Sequence, residues 1–323
     1  MHRRPSSLLA ASLLLIALVC AGPLRAEERG ADGALIEAKP YEMPAFEALP
    51  QWAQKAWGRE TYDSLRSGRG GIEVQHFIYW SGGLRVGGVL FKPAGTAGTK
   101  LPVVLWNHGG LGPESRIGAT NVLPLYEMSR FAQAGFVVVA SQYRGIGGSE
   151  GKEEVGGGDV DDVLNLVPLV RALPSADASR LSVYGISRGA LVTLQALRRG
   201  LPVQAAAVVG SVTDYSQLLD NERIGELARA AVAGLGPSAI EARSPIRWAG
   251  ELTRVPLLVI HGGADTSIPP LQILDFVRGL ETAKGFYELV LYAGDDHLTS
   301  RHLDERLQKA IEWFRNPPAR GAS

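Results

Sequence analysis

The stretch that decides the fold is LSVYGISRGALVTLQALRR, residues 181–199. Its first four residues are typical of a short buried strand, and the residues from 188 onward have the apolar spacing of a helix. Between them lies the turn GISRG, residues 185–189, which is a G-x-S-x-G sequence. In this strand–turn–helix context the glycines permit a sharp turn, and the turn lifts the serine hydroxyl clear of the strand end. The pattern therefore predicts that Ser187 is a nucleophile at the edge of a sheet.

A second stretch, GGSEG at residues 147–151, matches the same pattern. Ser149 is surrounded there by glycine and charge, with three further glycines at 156–158, and no helix is predicted to begin beside it. We therefore interpret Ser149 as a loop residue. For Ser187 the alternative is a structural serine in an ordinary β–α turn. That alternative is disfavoured because catalytic partners occur at suitable places along the chain.

Strands and helices are predicted to alternate along most of the chain. Short apolar or alternating runs predict eight strands, at residues 73–80, 84–91, 102–106, 136–140, 181–184, 205–209, 256–260 and 287–292. Helical patterns are found at residues 121–134, 159–173, 188–199, 269–281 and 302–315. Such alternation predicts an α/β fold with a mostly parallel eight-stranded sheet and helices on both faces. Functional residues are then expected at the carboxyl ends of the strands.

The remaining segments lie outside this alternation. Residues 27–71 are predicted to be an N-terminal extension, with short helices around 51–66 and aromatic residues that pack on the main domain. Residues 72–323 are predicted to form the catalytic domain. Within it, residues 211–254 lack a strand, and we expect them to form a small helical cap over the site.

The first residues of the chain predict export. A basic start (MHRR) precedes an apolar run over residues 8–21, and Ala26 supplies a small residue beyond it. This arrangement predicts a secretory signal peptide over residues 1–26, because the apolar run is shorter than the roughly 20 residues that span a bilayer. Cleavage after Ala21, an uncleaved membrane anchor and a lipoprotein at Cys20 are the alternatives. The mature protein is expected to be periplasmic or secreted, without stable membrane insertion.

Composition excludes several function classes. Cys20 is the only cysteine, so a mature chain beginning after Ala26 has no disulfide, thiolate metal site or cysteine nucleophile. The chain has 33 basic and 33 acidic residues, and removal of the three arginines of the signal peptide leaves a net charge of −3. The chain therefore lacks the surplus of basic residues that would indicate a nucleic-acid partner. No metal ion and no organic cofactor is implied by the sequence.

A histidine is needed next to the predicted nucleophile, because a serine hydroxyl is weakly reactive until an oriented base accepts its proton. His297 lies just past the last predicted strand, in a loop that can fold over the carboxyl edge of the sheet. It also comes last along the chain, which fits the order serine, acid, histidine expected for a nucleophile in a G-x-S-x-G turn. His302 is the alternative, although it falls at a helix start. His261 is predicted to be a buried, hydrogen-bonded histidine.

The acid that orients this base is predicted to be Asp265. It follows the seventh predicted strand, where its carboxylate can reach the imidazole of His297 and hold it in the required tautomer. One alternative is that Asp265 caps the helix that follows it. Asp295 and Asp296 are competing acids, but side chains so close to His297 in sequence rarely point at the same ring.

An oxyanion hole is predicted from two backbone N–H groups. One belongs to Arg188, which follows the nucleophile, and Gly110 in the glycine-rich turn WNHGG is the candidate for the other. A plain turn is the alternative interpretation of those glycines. His108, Gly109 and Tyr143 are predicted to line the substrate pocket beside them.

Taken in order, these motifs resemble the catalytic domain of the prolyl oligopeptidase family of serine peptidases. The matching segments are HGG at 108–110, QYRG at 142–145, the acidic helix start at 159–162, the elbow at 185–189, RSPI at 243–246, HG at 261–262, Asp265, Pro269, Gln272 and His297. The resemblance covers about residues 75–316 and implies an α/β-hydrolase fold. It implies that Ser187, Asp265 and His297 form the triad, with Gly110 and Arg188 as the oxyanion donors.

Two departures from the family bear on the substrate. Family peptidases usually carry a large N-terminal β-propeller, and the sequence ahead of residue 72 is too short for one. Arg188 also stands where the family often has tyrosine. The resemblance implies a serine hydrolase that cleaves a peptide or amide bond of a small substrate through an acyl-enzyme on Ser187. A carboxylesterase acting on acetyl, feruloyl or other small esters is the first alternative, and an inactive binding module is the second.

Overall fold

The computed structural model describes residues 29–96, 98–118, 121–222 and 224–318. The predicted signal peptide, residues 1–26, lies outside these described residues. Within them, every helix is too short or too polar to cross a bilayer.

The described strands form one sheet in the order β1-β2-β3-β5-β4-β6-β7-β8-β9. The strands are β1 (Leu35–Pro40), β2 (Ile72–Ser81), β3 (Leu84–Pro93), β4 (Leu101–Asn107), β5 (Val137–Ser141), β6 (Ala176–Ile186), β7 (Ala205–Val209), β8 (Leu257–Gly262) and β9 (Tyr287–Tyr292). β1, β2 and β3 pair antiparallel with their neighbours, while β4 to β9 run parallel. The predicted α/β class with a mostly parallel sheet is confirmed.

The predicted number of eight strands is wrong by one. The additional strand, β1, lies in the N-terminal extension and pairs with the outer edge of β2, with Leu35 opposite Tyr79 and Pro40 opposite Gln75. Its side chains are mostly exposed because it is an edge strand. Without a buried face it has no period-two apolar pattern, which is the signal that reveals a strand from sequence. Only its long-range pairing with β2 defines it.

Helices connect the strands and cover both faces of the sheet. They are α1 (Gln51–Trp57), α2 (Arg59–Arg66), α3 (Leu123–Gln133), α4 (Asp159–Leu164), α5 (Leu166–Ala172), α6 (Arg188–Arg198), α7 (Tyr215–Leu219), α8 (Gly225–Ala231), α9 (Pro237–Ala242), α10 (Pro270–Thr282) and α11 (Leu303–Arg315). The helix predicted over 159–173 is divided at Asn165. Pro168 explains the break, because its ring would clash with the carbonyl of Leu164 in a continuous helix.

Both faces of the sheet are buried, which explains why the central strands have apolar runs instead of alternating patterns. In β4, Val104 and Trp106 belong to a core that includes α3, α11 and the N-terminal extension. Val103 and Leu105 belong to the core on the opposite face, with α4, α5, α6 and α10. The carboxyl ends of the six parallel strands therefore meet at one rim, which is left for the functional loops.

The N-terminal extension packs on the main domain through its aromatic residues. The Trp57 ring lies 4.9 Å from Tyr62 and 5.2 Å from Tyr126 of α3. The Tyr62 hydroxyl donates a hydrogen bond to the Pro44 carbonyl at 2.9 Å. Phe46, Trp57 and Tyr62 are buried in the same core as the sheet. Between β7 and β8, the helices α7, α8 and α9 lie within the segment 211–254.

A buried ion pair joins α3 to α11. Arg306 Nη2 donates to Glu127 Oε1 at 2.5 Å, and Arg306 Nη1 donates to the Tyr184 hydroxyl. Both charged side chains are fully buried. Breaking such a pair leaves one uncompensated charge away from water, which costs more than the pair contributes.

We expect Arg306→Met to lower the free energy of unfolding by about 3–5 kcal/mol, since it leaves the Glu127 carboxylate buried without its cation. Combining it with Glu127→Leu should recover most of the loss, because no unpaired charge then remains. Urea unfolding followed by tryptophan fluorescence measures both. Arg278→Met, which removes an exposed ion pair with Asp275, is the control and should change stability little. An equal loss in the Arg278 and Arg306 variants would contradict the prediction.

Candidate active site

Ser187 lies in the turn between β6 and α6, in a backbone conformation that its sequence neighbours make possible. Its φ of 56° and ψ of −121° are rare for a residue with a side chain. A Cβ on Gly189 would overlap the carbonyl oxygen of Asn107, and a Cβ on Gly185 would overlap Thr193 Oγ1. The two glycines of the G-x-S-x-G sequence are therefore required by close packing. The strain at Ser187 is of the kind found at functional sites.

Of the three residues predicted as a triad, His297 lies within hydrogen-bonding distance of both Ser187 and Asp265. His297 Nε2 is 2.8 Å from Ser187 Oγ, and His297 Nδ1 is 2.7 Å from Asp265 Oδ2. Ser187 follows β6, Asp265 follows β8, and His297 lies in the loop after β9. Parallel strands thus bring together side chains that are far apart in sequence. This geometry is that of a nucleophile, a base and an orienting acid.

Asp265 is fixed by more than the imidazole. Its second oxygen, Oδ1, accepts the backbone N–H groups of Ser267 and Ile268, both at 2.8 Å. Burial raises the pKa of this carboxyl, but the hydrogen bond from His297 and the neighbouring N–H groups outweigh it, so the net pKa is lowered. Asp265 is therefore an oriented carboxylate in the folded protein.

The competing histidines do not reach Ser187, although His261 Nε2 lies 3.4 Å from Asp265 Oδ2. His302 Nδ1 lies 2.7 Å from Asp295 Oδ2, and the His302 ring stacks on Tyr292 at 4.2 Å. His261 Nε2 lies 3.0 Å from the Ile268 carbonyl oxygen, and burial lowers its pKa. Among the described residues, His297 alone of the histidines forms a hydrogen bond with Ser187.

The His297 loop is shaped by Asp295. Its Oδ1 accepts the N–H groups of Asp296 at 2.9 Å and Arg301 at 3.2 Å, while its backbone carbonyl accepts the N–H of Ala264 at 2.8 Å. These bonds tie the loop after β9 to the loop after β8. Asp295 thus helps to place the His297 loop beside Asp265, and it does not contact the imidazole of His297.

Of the two predicted oxyanion donors, Arg188 belongs to the elbow and Gly110 belongs to the HGG turn, which packs against the elbow. The backbone of Gly109 packs so close that a Cβ there would lie 2.9 Å from Ser187 Cβ, and Gly110 has a φ of +87°. Neither the Gly110 N–H nor the Arg188 N–H donates a hydrogen bond to another described residue. Both groups are therefore available to a ligand oxygen, as the oxyanion prediction requires.

Of the three predicted pocket residues, only Gly109 lines the cavity next to Ser187. His108 and Tyr143 are fully buried behind it and stack on each other with ring centroids 4.3 Å apart. Burial, and then the nearby Arg188, lower the pKa of His108 to about 4. His108 and Tyr143 support the wall of the pocket from behind, because the HGG turn folds over them.

The cavity has a volume of about 880 Å³ and runs past Ser187 and His297. One side is aliphatic and belongs to the cluster formed with the segment 211–254, with Val155, Leu191, Val212, Leu218 and Ile224 on the cavity wall. The remaining lining residues include Pro50, Trp52, Leu123, Leu298, Ser300 and Leu303, which belong to the N-terminal extension, α3, the loop after His297 and the start of α11. The contribution of the N-terminal extension was missed from sequence, where its aromatics were expected only to pack.

The acidic helix start at 159–162 holds ion pairs. Asp159 Oδ2 accepts from Arg188 Nη2 at 2.9 Å, and Asp162 Oδ1 accepts from Arg144 Nη2 at 2.8 Å. The sequence analysis identified this segment only as an acidic helix start and did not reveal these cationic partners. In the part of the chain that the structure describes, no group of three or more histidine, cysteine or acidic side chains is arranged to hold a metal ion.

Known proteins resemble this chain in sequence and in fold. The sequence profile of the Prolyl oligopeptidase family matches residues 123–317. The Uncharacterized peptidase YtmA of Bacillus subtilis is 30% identical over 204 residues, covering 61% of this chain and 75% of that protein. Acylamino-acid-releasing enzyme 2 of Oryza sativa subsp. japonica is 28% identical over 218 residues, covering 61% of this chain and 27% of that enzyme. The structure of Pyrococcus horikoshii acylaminoacyl peptidase has a TM-score of 0.65 at 24% identity, covering 79% of this chain and 43% of that one.

These similarities differ in what they cover. The profile match spans more than half of the chain, and it includes the positions of Ser187, Asp265 and His297. This chain spans three quarters of YtmA, but about a quarter of the rice enzyme and less than half of the Pyrococcus chain. The similarity to the Pyrococcus structure is one of fold, and that fold is an α/β-hydrolase fold.

Proposed function

Because this chain belongs to the prolyl oligopeptidase family and is a serine hydrolase, we propose that it hydrolyses peptide or amide bonds of small substrates through an acyl-enzyme on Ser187. The observation that carries the proposal is the pair of short contacts made by His297, 2.8 Å to Ser187 Oγ and 2.7 Å to Asp265 Oδ2. The relatives named as peptidases and acylamino-acid-releasing enzymes favour an amide over an ester as the natural substrate.

The proposed reaction has two halves. His297 Nε2 takes the proton of Ser187 Oγ as the oxygen attacks the scissile carbonyl carbon, and Asp265 stabilises the imidazolium. The Gly110 and Arg188 N–H groups donate to the oxyanion of the tetrahedral intermediate. His297 then protonates the leaving nitrogen, and the C–N bond breaks to give the acyl-enzyme. A water molecule, deprotonated by His297, attacks the ester, and Ser187 recovers its proton as the acid product leaves.

The two sides of the cavity support a division between acyl group and leaving group. The leaving nitrogen must face His297, since this residue protonates it. The side that contains Leu298 and Leu303, which follow His297 in the chain, is therefore assigned to the leaving group. The aliphatic side, with Leu191 and Val212, is assigned to the acyl group. We propose a substrate with an apolar residue on the carbonyl side of the cleaved bond, bound beneath the cap formed by residues 211–254.

Trp52 is proposed to contact the leaving group. It lines the cavity, it is 42% exposed, and its ring lies edge-on to Tyr126 with centroids 6.2 Å apart. A large aromatic surface of this kind contributes about 0.5–1.5 kcal/mol to binding another aromatic ring. The N-terminal extension would then take part in substrate selection.

We expect Trp52→Ala to lower kcat/KM for an aminoacyl β-naphthylamide by about two- to tenfold, the range that corresponds to such a contact. The same aminoacyl group with a small alkylamine leaving group should be hydrolysed with kcat/KM nearly unchanged, because it does not reach Trp52. Trp52→Phe keeps an aromatic ring and is the matched control. Equal losses on both substrates would assign Trp52 a structural role instead.

The proposed function is tested with matched substrates on the purified mature chain. N-acetyl-leucine p-nitroanilide, leucine p-nitroanilide and the p-nitrophenyl ester of N-acetyl-leucine present the same side chain on an amide or ester bond. We expect hydrolysis of at least one anilide, together with labelling of the protein by a fluorophosphonate probe. Hydrolysis of the ester alone would favour a carboxylesterase. Absence of both turnover and labelling would support an inactive binding module.

Export is proposed from the basic start and short apolar run of residues 1–26. Fractionation of cells that express the full chain, followed by N-terminal sequencing, tests it. A mature N-terminus near residue 27, in the periplasm or the medium, is the expected result. An intact N-terminus in the cytoplasmic fraction would contradict it.

A further inference from the structure

The side chain of Arg188 is buried next to the elbow and is bound on several sides. Its Nη2 donates to Asp159 Oδ2 at 2.9 Å, and its Nη1 pairs with the Glu153 carboxylate. The same Nη1 donates to the carbonyl oxygen of Gly110 at 3.3 Å. The guanidinium also lies over the Tyr143 ring, 4.9 Å from its centroid. Only 3% of the Arg188 side chain is exposed.

The partners of Arg188 hold the HGG turn and the residues that follow it. Glu153 accepts the backbone N–H of Gly112 through both carboxylate oxygens, at 2.9 and 3.1 Å. The Tyr143 hydroxyl donates to the carbonyl oxygen of His108 at 3.3 Å. The backbone is therefore attached to Arg188 or to a partner of Arg188 before, at and after Gly110.

Gly110 needs such attachments, because its turn has little rigidity of its own. Glycines at 109, 110 and 112 give this stretch unusual conformational freedom. A backbone N–H stabilises an oxyanion only when it lies within hydrogen-bonding distance of the oxygen, and a misplacement of about 1 Å costs on the order of 10²-fold in rate. The orientation of the Gly110 peptide is thus the quantity that the surrounding network controls.

We propose that the Arg188 side chain, acting through Glu153, is a positioning group that holds residues 108–112 so that the Gly110 N–H is aimed at the oxyanion. This role rests on the proposed function of Ser187. It adds the pair of Arg188 and Glu153, of which Glu153 lies in the loop before α4. Arg188 then acts twice, since its backbone N–H is the other proposed donor.

The charges of the network indicate that its role is geometric. The positive charge of Arg188 is matched by two carboxylates, those of Glu153 and Asp159. His108, which is also close to Arg188, is neutral because burial and the guanidinium lower its pKa to about 4. The network therefore brings no net positive charge to the oxyanion, and orientation of the Gly110 N–H is what it can contribute.

The test is Glu153→Ala, which removes the link between Arg188 and the Gly112 N–H while leaving the Arg188–Asp159 pair. We expect kcat per titrated active site to fall by about 10–10²-fold, with KM within about threefold. The affinity for a peptidyl boronic acid, which forms an oxyanion-like adduct, should fall by the same factor as kcat. If Glu153 contributed only to folding, Glu153→Ala would lower the titrated fraction of active sites without changing kcat per site, and this result would overturn the proposal.

Glu154→Ala is the matched control. Glu154 is the next residue and accepts a single backbone N–H, that of Gly158 at 2.8 Å, without contacting Arg188. We expect its kcat and boronate affinity to stay within about threefold of wild type. If Glu153→Ala fails to fold, Glu153→Gln is expected to show a smaller loss in the same two quantities. Equal kcat and equal boronate affinity in the Glu153 and Glu154 variants would overturn the positioning role. If the fluorophosphonate probe failed to label Ser187 in the wild-type protein, the proposed function itself would be overturned.

Discussion

Ser187→Ala is expected to lower kcat by about 10⁶-fold while KM stays within about threefold of wild type. Alanine keeps the Cβ, so the residue at 187 retains its φ of 56° and the turn between β6 and α6 remains in place. The imidazole of His297 and the Gly110 and Arg188 N–H groups also remain. Only the attacking oxygen is lost, and substrate binding should therefore survive the loss of turnover.

The measurement is steady-state hydrolysis of the best substrate, together with fluorophosphonate labelling, which should disappear in Ser187→Ala. Ser149→Ala is the matched control, because Ser149 is the central residue of the second G-x-S-x-G match. Its hydroxyl accepts the Gly87 N–H at 3.0 Å and its backbone lies in a loop. The control should retain wild-type kcat. A rate in Ser187→Ala above about one thousandth of wild type would refute the assignment of the nucleophile.

The central part of the fold could be predicted because its signals are local. The elbow at Ser187 depends on glycines that lie two residues away on either side, and steric overlap at Gly189 requires them. The parallel strands are buried on both faces, so their apolar runs are visible in sequence. Parallel alignment then brings the strand ends to one rim. The placement of Asp265 and His297 near Ser187 follows from that topology and the order of the strands.

Features that depend on long-range pairing could not be predicted. β1 is an exposed edge strand, and it exists only through its hydrogen bonds to β2. Trp52 belongs to a segment in which Phe46, Trp57 and Tyr62 are buried, and sequence does not distinguish the ring that faces the cavity. The Arg188 network joins residues 153, 159 and 188 across separate elements. No local pattern relates the acids to that arginine, although the departure from tyrosine at 188 was a visible sign.

The predicted acid is the residue whose surroundings allow the sharpest test. Asp265 Oδ2 faces His297 Nδ1 at 2.7 Å, while Oδ1 accepts the N–H groups of Ser267 and Ile268. In Asp265→Asn the carbonyl oxygen must stay with those two N–H groups, since an amide NH₂ cannot accept from them. The NH₂ group is then turned toward Nδ1. It would donate to that nitrogen and place the imidazole proton on Nε2.

An imidazole protonated at Nε2 cannot take the proton of Ser187, so Asp265→Asn is expected to lower kcat by about 10⁴-fold at neutral pH. The measurement is kcat on the substrate used for Ser187→Ala, with thermal unfolding to verify the fold. Asp295→Asn is the matched control. Asp295 faces His302 through Oδ2 and accepts two backbone N–H groups through Oδ1, which is the same arrangement one loop away. Its variant should lose less than about tenfold in kcat, because His302 has no contact with Ser187. Equal losses in the two variants would mean that the carboxylate at 265 supports the loop and does not set the tautomer of His297.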